Sequence, residues 1–219
     1  MLSMNVIELF SSIDGEGKRQ GFLTTFLRLH DCNIRCSYCD TLYSYGPEST
    51  FESMSVQAVA DVIEQLENHR ITVTGGEPLL QEPAIIELID ELTRRNARYD
   101  FNIETNGTII PSFHRDNVWF TYDYKTPSSL AEDAMNLDIF KVATPADIIK
   151  FVVGSMQDLD RMNEILKTYP TEAQIFVSPV WGNIEGATII EYMKAHNWQN
   201  VRFQLQIHKF IWDPDAKGV

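Results

Sequence analysis

Short apolar runs alternate along the chain with longer segments in which apolar residues recur at helical spacing. The short runs are rich in β-branched and aromatic side chains and have the length of strands, whereas the longer segments have the length of helices. The predicted strands cover residues 22–29, 71–74, 101–104, 118–122, 148–153, 173–177 and 201–206. The predicted helices cover residues 56–68, a segment that begins at Pro83, and residues 156–169 and 187–197, with Ser55 as the N-cap of the first helix.

Strands and helices in alternation favour βαβ units and a parallel sheet. A closed (β/α)₈ barrel typically needs about 250 residues, and this chain has 219 residues. We therefore predict an α/β fold in one domain, residues 1–219, with a mostly parallel sheet that forms a partial, open TIM-like barrel. Ligands in such sheets bind at the carboxyl ends of the strands, where most of the unusual polar segments of this chain fall.

The charge balance and hydropathy narrow the classes of partner. The chain has 18 basic and 31 acidic residues and a formal net charge of −13, which disfavours binding to long nucleic acids. No apolar run approaches the roughly 20 residues that cross a bilayer, and the N-terminus lacks the order of a secretion signal. We expect a cytoplasmic protein that binds neither nucleic acid nor membrane.

The cysteines indicate a metal site. The chain has three cysteines, Cys32, Cys36 and Cys39, in a C-x3-C-x2-C pattern, and an odd, clustered set disfavours a disulfide framework. Three thiolates suit a [4Fe–4S] cluster in which the fourth iron has no protein ligand. His30 lies close enough in sequence to complete a zinc site, so a zinc-binding interaction module remains the non-enzyme alternative.

The cysteine spacing, with aromatic Tyr38 before the last cysteine, resembles the signature of radical S-adenosylmethionine (SAM) enzymes. The stretch Thr74-Gly-Gly-Glu-Pro78 resembles their second motif, in which a residue without a Cβ lets the backbone approach a ligand. The resemblance implies a [4Fe–4S] cluster whose open iron binds SAM, and whose electron cleaves SAM to a 5′-deoxyadenosyl radical. It assigns SAM contacts to Tyr38, Gly76 and Glu77.

Further segments resemble, in the same order, the 7-carboxy-7-deazaguanine synthase family. These segments are Phe10–Gly17, Phe26–Leu29, Cys39–Thr41, Ile103–Gly107, Lys125–Ser129 and Gln206–Phe210. The family converts 6-carboxy-5,6,7,8-tetrahydropterin to 7-carboxy-7-deazaguanine with loss of ammonia, in 7-deazapurine (queuosine-type) biosynthesis. The resemblance also implies Mg²⁺, a homodimer and an electron donor such as flavodoxin.

The resemblance distributes the remaining binding roles among residues of this chain. It makes Thr41 a ligand of the Mg²⁺ that also meets the substrate carboxylate, and a single protein oxygen is acceptable because Mg²⁺ keeps several waters. The further SAM contacts are assigned to Glu104, Asn106, Asp123, Tyr124, Lys125 and Ser178. The substrate contacts are assigned to Ile13, Asp14, Gly15, Glu16, Arg28, Thr74, His208 and Val219.

Some of these residues can be interpreted without the resemblance, and some depart from it. Glu16 can accept hydrogen bonds from the N–H edge of a pterin, whereas Arg28, in an apolar strand, needs either a substrate carboxylate or an internal ion pair. The family usually has Gln at the position of Asp14 and Ser-Pro-Lys where this chain has residues 123–125. Residues 127–148 have no assigned counterpart.

Two other radical SAM classes remain as alternatives within the same chemistry. These are glycyl-radical-activating enzymes and peptide-modifying enzymes, both of which share the cysteine motif. Many of them carry additional cysteines for further clusters, and this chain has no cysteine beyond the three of the motif.

Overall fold

The computed structural model describes residues 2–214 and 216–219, and within them nine strands form one sheet. The strands are β1 (Ser3–Ile13), β2 (Leu23–Leu29), β3 (Glu52–Ser55), β4 (Arg70–Gly75), β5 (Asp100–Thr105), β6 (Val118–Tyr124), β7 (Ile148–Val153), β8 (Gln174–Pro179) and β9 (Val201–Phe203). Their order across the sheet is β3-β1-β2-β4-β5-β6-β7-β8-β9.

Helices connect most of the parallel strands. They are α1 (Val56–Gln65), α2 (Glu82–Arg95), α3 (Ile139–Val142), α4 (Met156–Thr168), α5 (Gly186–Ala195) and α6 (His208–Ile211). Ser55 caps α1 as predicted, because its side chain accepts a hydrogen bond from the backbone N–H of Ala58. Ser155 and Asp158 form a capping box at the start of α4.

The sheet is mostly parallel and open, which confirms the predicted fold class. From β2 through β4 to β9 each strand pairs parallel with its neighbour. β1 instead pairs antiparallel with both β2 and β3. The sheet therefore ends at β3 and β9, which are not paired with each other.

Two strands were not predicted and several boundaries differ; the predicted helix 56–68, for example, extends past the end of α1 at Gln65. β1 and β3 lie outside the predicted strands, and the predicted strand 201–206 is too long because β9 ends at Phe203. After Phe203 the chain bonds to the loop that follows β1: the backbone N–H of Gly17 donates to Oε1 of Gln204 at 2.8 Å, and that of Ile207 donates to the carbonyl of Gly15 at 3.1 Å. These contacts turn the chain back over the sheet.

The alternation of side chains along β7 shows how the sheet separates the core from the site. Ile149, Phe151 and Val153 belong to the main hydrophobic core, together with residues of the helices. Lys150 and Val152 lie on the opposite face, where both line a cavity. The helices thus cover one face of the sheet, and side chains on the other face line the cavity.

Among the described residues, we find no helix with the length and apolar character required to cross a membrane.

Candidate active site

A cavity of about 270 Å³ lies on the sheet face opposite the main core, and its wall draws on successive parallel strands and the loops after them. Most of the predicted site residues line it: Ile13, Asp14, Gly15, Glu16, Arg28, Cys32, Cys36, Tyr38, Cys39, Thr41, Thr74, Gly76, Glu104, Asn106, Asp123, Lys125, His208 and Val219. The other predicted residues, Glu77, Tyr124 and Ser178, lie behind the cavity wall. The fold therefore brings together residues that are far apart in sequence.

The cysteine loop follows β2, and backbone hydrogen bonds hold it at its start and in its middle. Asp31, at its start, has a φ of 78° and bonds through its carbonyl to the backbone N–H of Glu77 at 2.7 Å. In the middle of the loop, the backbone N–H of Ser37 donates to the carbonyl of Ser129 at 2.9 Å. The loop is thus attached both to the end of β4 and to the turn after β6.

The three thiols are free, partly exposed and turned to the same cavity. Burial raises the pKa of Cys32, and burial raises the pKa of Cys36 to about 11. Thiols with such pKa values are protonated at neutral pH, so iron binding must displace their protons.

The donor set fits a cluster better than a single ion. Within residues 2–214 and 216–219, no three His, Cys, Asp or Glu side chains converge on a position for one metal ion. A closed zinc site needs such convergence, whereas a [4Fe–4S] cluster binds each cysteine sulfur to a different iron. Three thiols around one cavity therefore suit the cluster.

Gly76 lies where two loops meet. A Cβ on this residue would stand 1.7 Å from the carbonyl oxygen of Asp31 and 3.1 Å from the backbone N of Cys32. Because these are backbone atoms, no side-chain rotation relieves the clash. The absence of a side chain at this position lets the end of β4 lie directly against the cysteine loop.

Glu77 is fully buried, and its carboxylate is occupied within the protein. Oε1 accepts from the backbone N–H of Leu79 at 2.9 Å and from the hydroxyl of Thr105 at 2.8 Å. Oε2 accepts from the backbone N–H of Asn106 at 2.7 Å. The structure thus places Glu77 as a link between two strand ends, and Asn106 lines the cavity in its place.

Tyr124 and Ser178 are likewise turned away from the cavity wall. The Tyr124 ring packs against Phe140 and Phe151, with ring centroids 5.9 and 5.0 Å away, and its hydroxyl donates to Glu132 at 2.9 Å. The Ser178 hydroxyl, which is fully buried, donates to Oε1 of Glu16 at 3.4 Å. Ser178 therefore contacts another site residue instead of the space where a ligand would lie.

Charged side chains form a network on the inner face of the sheet. Lys150 Nζ lies 3.0 Å from Oε2 of Glu16 and 3.4 Å from Oδ2 of Asp123. Lys125 Nζ lies 3.1 Å from the same oxygen of Asp123. Burial raises the pKa of the neighbouring Glu104 to about 7, and the charge of Lys150 opposes that rise.

Arg28 has an internal partner. Its Nε donates to Oε1 of Glu8 at 2.6 Å, and the hydroxyl of Tyr43 donates to the same oxygen at 2.6 Å. The guanidinium also lines the cavity. Both interpretations of Arg28 are thus compatible with the geometry, because the ion pair uses Nε and a guanidinium has four further N–H donors.

Asp14 is almost completely buried, and its carboxylate already has hydrogen-bond partners within the protein. It is 3% exposed, and its carboxylate accepts from the hydroxyl of Thr24 at 3.0 Å and from that of Thr72 at 3.4 Å. Burial raises the pKa of Asp14 to about 6, although the charge of Arg19 opposes the rise. The resemblance gives Gln as the usual residue at this position. Asp14 therefore places a carboxyl group, instead of an amide, in the buried floor of the cavity.

The C-terminal segment closes one side of the cavity. The His208 ring packs so closely on Gly15 that a Cβ there would lie 1.9 Å from Nδ1, and burial lowers the pKa of His208. Lys209 Nζ pairs with Oδ2 of Asp40 at 3.1 Å, which ties this segment to the cysteine loop. Val219 also lines the cavity.

Sequence reasoning missed Glu8 and Lys150. Lys150 had a signal, since it is a single lysine in the apolar run IIKFVV and a buried charge needs a partner. The sequence signal for Glu8 was weaker. Because β1 was not predicted as a strand, the pairing of Glu8 with Arg28 across the sheet could not be inferred.

The chain resembles known proteins along its whole length. Residues 28–152 match the family model of the Radical SAM superfamily. The chain is 37% identical to the 7-carboxy-7-deazaguanine synthase of Clostridium acetobutylicum, with all of both chains covered, and 36% identical to that of Leptospira interrogans, covering 100% of this chain and 99% of the relative. In three dimensions it superposes on the crystal structure of QueE from Escherichia coli with a TM-score of 0.70 and 23% identity, over 93% of each chain.

Proposed function

The chain belongs to the 7-carboxy-7-deazaguanine synthase family of the Radical SAM superfamily, and from this premise we propose that it converts 6-carboxy-5,6,7,8-tetrahydropterin to 7-carboxy-7-deazaguanine with loss of ammonia, in 7-deazapurine (queuosine-type) biosynthesis. One observation carries the proposal. The cavity that holds the three cysteines also holds acceptors, a guanidinium and aromatic rings suited to a flat, carboxylated pterin.

The cluster site is proposed at Cys32, Cys36 and Cys39. When bound, the cluster supplies the electron that cleaves SAM and releases the radical which takes hydrogen from C6 of the substrate. The chain contributes the three thiolates and, at Gly76, a backbone that lies against the loop. The amide Nδ2 of Asn106 donates to Sγ of Cys32 at 3.7 Å and to Oδ1 of Asn33 at 2.9 Å, so this side chain would lie against the cysteine loop beside the cluster.

The polar groups at the neighbouring strand ends are proposed to bind the rest of SAM. Glu104, Asp123 and Lys125 line the same cavity as Asn106. The Oδ1 atom of Asp123 is buried without a hydrogen-bond partner, which suits an acceptor that awaits a hydroxyl donor. Tyr124 and Ser178 are not proposed to contact SAM, because other residues surround their side chains.

The substrate is proposed to lie against β1 and β2. Phe10 and Phe26 stack with ring centroids 5.3 Å apart and line the cavity, which offers a flat apolar wall to a pterin. Glu16 is proposed to accept from the N–H edge of the pyrimidine ring, and Arg28 to bind the carboxylate through the donors that Glu8 does not use. His208, which packs over Gly15, is proposed to hydrogen-bond the same ring.

Mg²⁺ is proposed to bind at Thr41. Its hydroxyl donates to Oδ1 of Asp40 at 3.0 Å, so two oxygen donors of the kind that Mg²⁺ prefers lie together at the cavity. Bound there, Mg²⁺ would orient the substrate carboxylate and stabilise charge during rearrangement.

Two further predictions rest on the resemblance alone. One is an external reductant such as flavodoxin, and the other is a homodimeric state. The reductant can be tested by replacing dithionite with reduced flavodoxin in the turnover assay. The homodimer can be tested by light scattering on the eluted protein.

The experiment that tests the function is direct turnover. Cluster-loaded protein is incubated anaerobically with 6-carboxytetrahydropterin, SAM, Mg²⁺ and reductant, and the products are analysed by mass spectrometry. We expect 7-carboxy-7-deazaguanine from the wild type, with SAM regenerated in each turnover because loss of ammonia alone is redox-neutral, and neither the deazaguanine nor 5′-deoxyadenosine from Cys36→Ala. Formation of 5′-deoxyadenosine without the deazaguanine would contradict the proposed substrate and would indicate a radical SAM enzyme that acts on another one.

A further inference from the structure

Lys150 is a buried cation, and none of the predicted ligand contacts involves it. It stands in β7, whose other residues are isoleucine, phenylalanine and valine, and it is 6% exposed. A lysine at this depth is costly unless its charge is paired. Burial alone would lower its pKa, but the charges of Glu16 and Asp123 outweigh burial and raise the pKa well above its ordinary value.

The two partners of Lys150 depend on it to different degrees. Asp123 has a second cation, because Lys125 pairs with the same Oδ2 atom. For Glu16, the contacts of the described residues show one ion pair, the 3.0 Å contact to Lys150, and one longer hydrogen bond, the 3.4 Å contact from Ser178. Removing Lys150 would therefore affect Glu16 more than Asp123.

Glu16 needs this support because of where it lies. It belongs to the loop that leaves β1, next to Gly15 and Gly17, and its flexible side chain loses rotamer entropy when it is fixed. The neighbouring carboxylates Asp14 and Glu104 face the same interior, and the charge of Glu16 adds to the rise in the pKa of both. Lys150 supplies the positive charge that offsets this accumulation, and it holds Oε2 from β7, which is not adjacent to β1 in the sheet.

We propose that Lys150 is a positioning residue for substrate recognition, which fixes the Glu16 carboxylate in the orientation that receives the N–H edge of the pterin. The inference rests on the proposed function. Lys150 acts through Glu16 and contributes little to the binding of SAM, since Lys125 still neutralises Asp123 in its absence.

The test is a double-mutant cycle measured by binding, so no turnover is needed. The dissociation constant of 6-carboxytetrahydropterin is measured by calorimetry on cluster-loaded protein without reductant, for wild type, Lys150→Met, Glu16→Gln and the double variant. We expect each single variant to bind the pterin at least about tenfold more weakly. The double variant should bind no more weakly than Glu16→Gln, because Lys150 has nothing to position once the carboxylate is gone.

Three further measurements separate positioning from a general structural effect. Lys150→Arg, which retains the charge, should recover most of the pterin affinity. The affinity of Lys150→Met for SAM should stay within about twofold of wild type. Lys141→Met removes a surface lysine that pairs with Asp138 at 2.7 Å and does not line the cavity, and it should leave both affinities unchanged.

Several outcomes would overturn the inference. If Lys150→Met binds the pterin as wild type does, or if the losses multiply in the double variant, Lys150 does not act through Glu16, while the proposed function stands. If wild type itself does not bind the pterin, the proposed function fails and the inference fails with it. If Lys150→Met does not fold, the double variant provides the test, because it has no charged carboxylate at position 16 that would be left unpaired. The inference is contradicted if the double variant binds the pterin more weakly than Glu16→Gln does.

Discussion

At the scale of single residues, Asp14 shows that burial determines how a carboxyl group affects stability. Its pKa is raised by burial to about 6 in the folded protein, from an ordinary value of 3.8. The folded state therefore holds this proton more tightly than the unfolded state. By linkage, the contribution of Asp14 to the free energy of unfolding is greatest below pH 4 and falls as pH rises to 6.

Asp14→Asn should remove this dependence. We expect the free energy of unfolding of the variant, relative to wild type, to increase by roughly 2–3 kcal/mol between pH 4 and pH 7. Urea denaturation of both proteins across this range measures the difference, and the other titrating groups largely cancel. A constant difference would show that Asp14 has no raised pKa.

Gly76 gives a prediction about backbone contact. Gly76→Ala places a Cβ 1.7 Å from the Asp31 carbonyl, so the cysteine loop must move away from β4. We expect a loss of about 1–3 kcal/mol in stability and a lower iron content after reconstitution. Gly154→Ala is the matched control, because its nearest atoms lie 3.4 Å away, and it should reconstitute as wild type does.

Thr41 gives a prediction about the metal. Thr41→Ala removes the proposed oxygen ligand, so the rate of turnover should no longer rise when Mg²⁺ is added. Thr41→Ser keeps the hydroxyl and should retain the response. A Mg²⁺ titration of turnover by each protein decides, and an undiminished response of the alanine variant would exclude Thr41 from the site.

At the scale of elements, Glu77 joins the end of β4 to the end of β5. Glu77→Ala leaves the donors on Leu79, Thr105 and Asn106 without this acceptor. Each unsatisfied buried donor costs about 1–3 kcal/mol, so we expect a loss of at least about 3 kcal/mol in the free energy of unfolding. Glu82→Ala, which removes a carboxylate at an exposed contact with Ser112, should cost much less in the same urea denaturation.

The elements could be predicted where periodicity was strong. The predicted strand 148–153 coincides with β7, and the predicted helix 156–169 agrees with α4 within a residue. β1 was missed because it is half-buried, with serines among its apolar residues, and because it was interpreted only as a glycine-rich opening. The overlong prediction for β9 has a different cause, since its end is fixed by contacts to the distant Gly15–Gly17 loop, which no local pattern contains.

At the scale of the whole molecule, the parallel sheet turns a linear series of motifs into one cavity. The sequence was sufficient to place most site residues there, because motifs at the ends of parallel strands meet at one edge. It was insufficient for side chains whose role depends on a partner across the sheet. Glu77 was assigned to SAM but bonds internally, and the link between Lys150 and Glu16 joins residues from opposite parts of the chain.

We propose that one cavity brings the cysteine-bound cluster, SAM and the pterin together for hydrogen abstraction. The most direct test uses 6-carboxytetrahydropterin that carries deuterium at C6, with cluster-loaded protein, SAM and reductant. Loss of ammonia alone leaves the oxidation level of the substrate unchanged, so the abstracted hydrogen must be returned and SAM regenerated in each turnover. We predict that deuterium from C6 appears at the 5′ carbon of recovered SAM while 7-carboxy-7-deazaguanine accumulates. Accumulation of the deazaguanine with no deuterium in recovered SAM would contradict this mechanism.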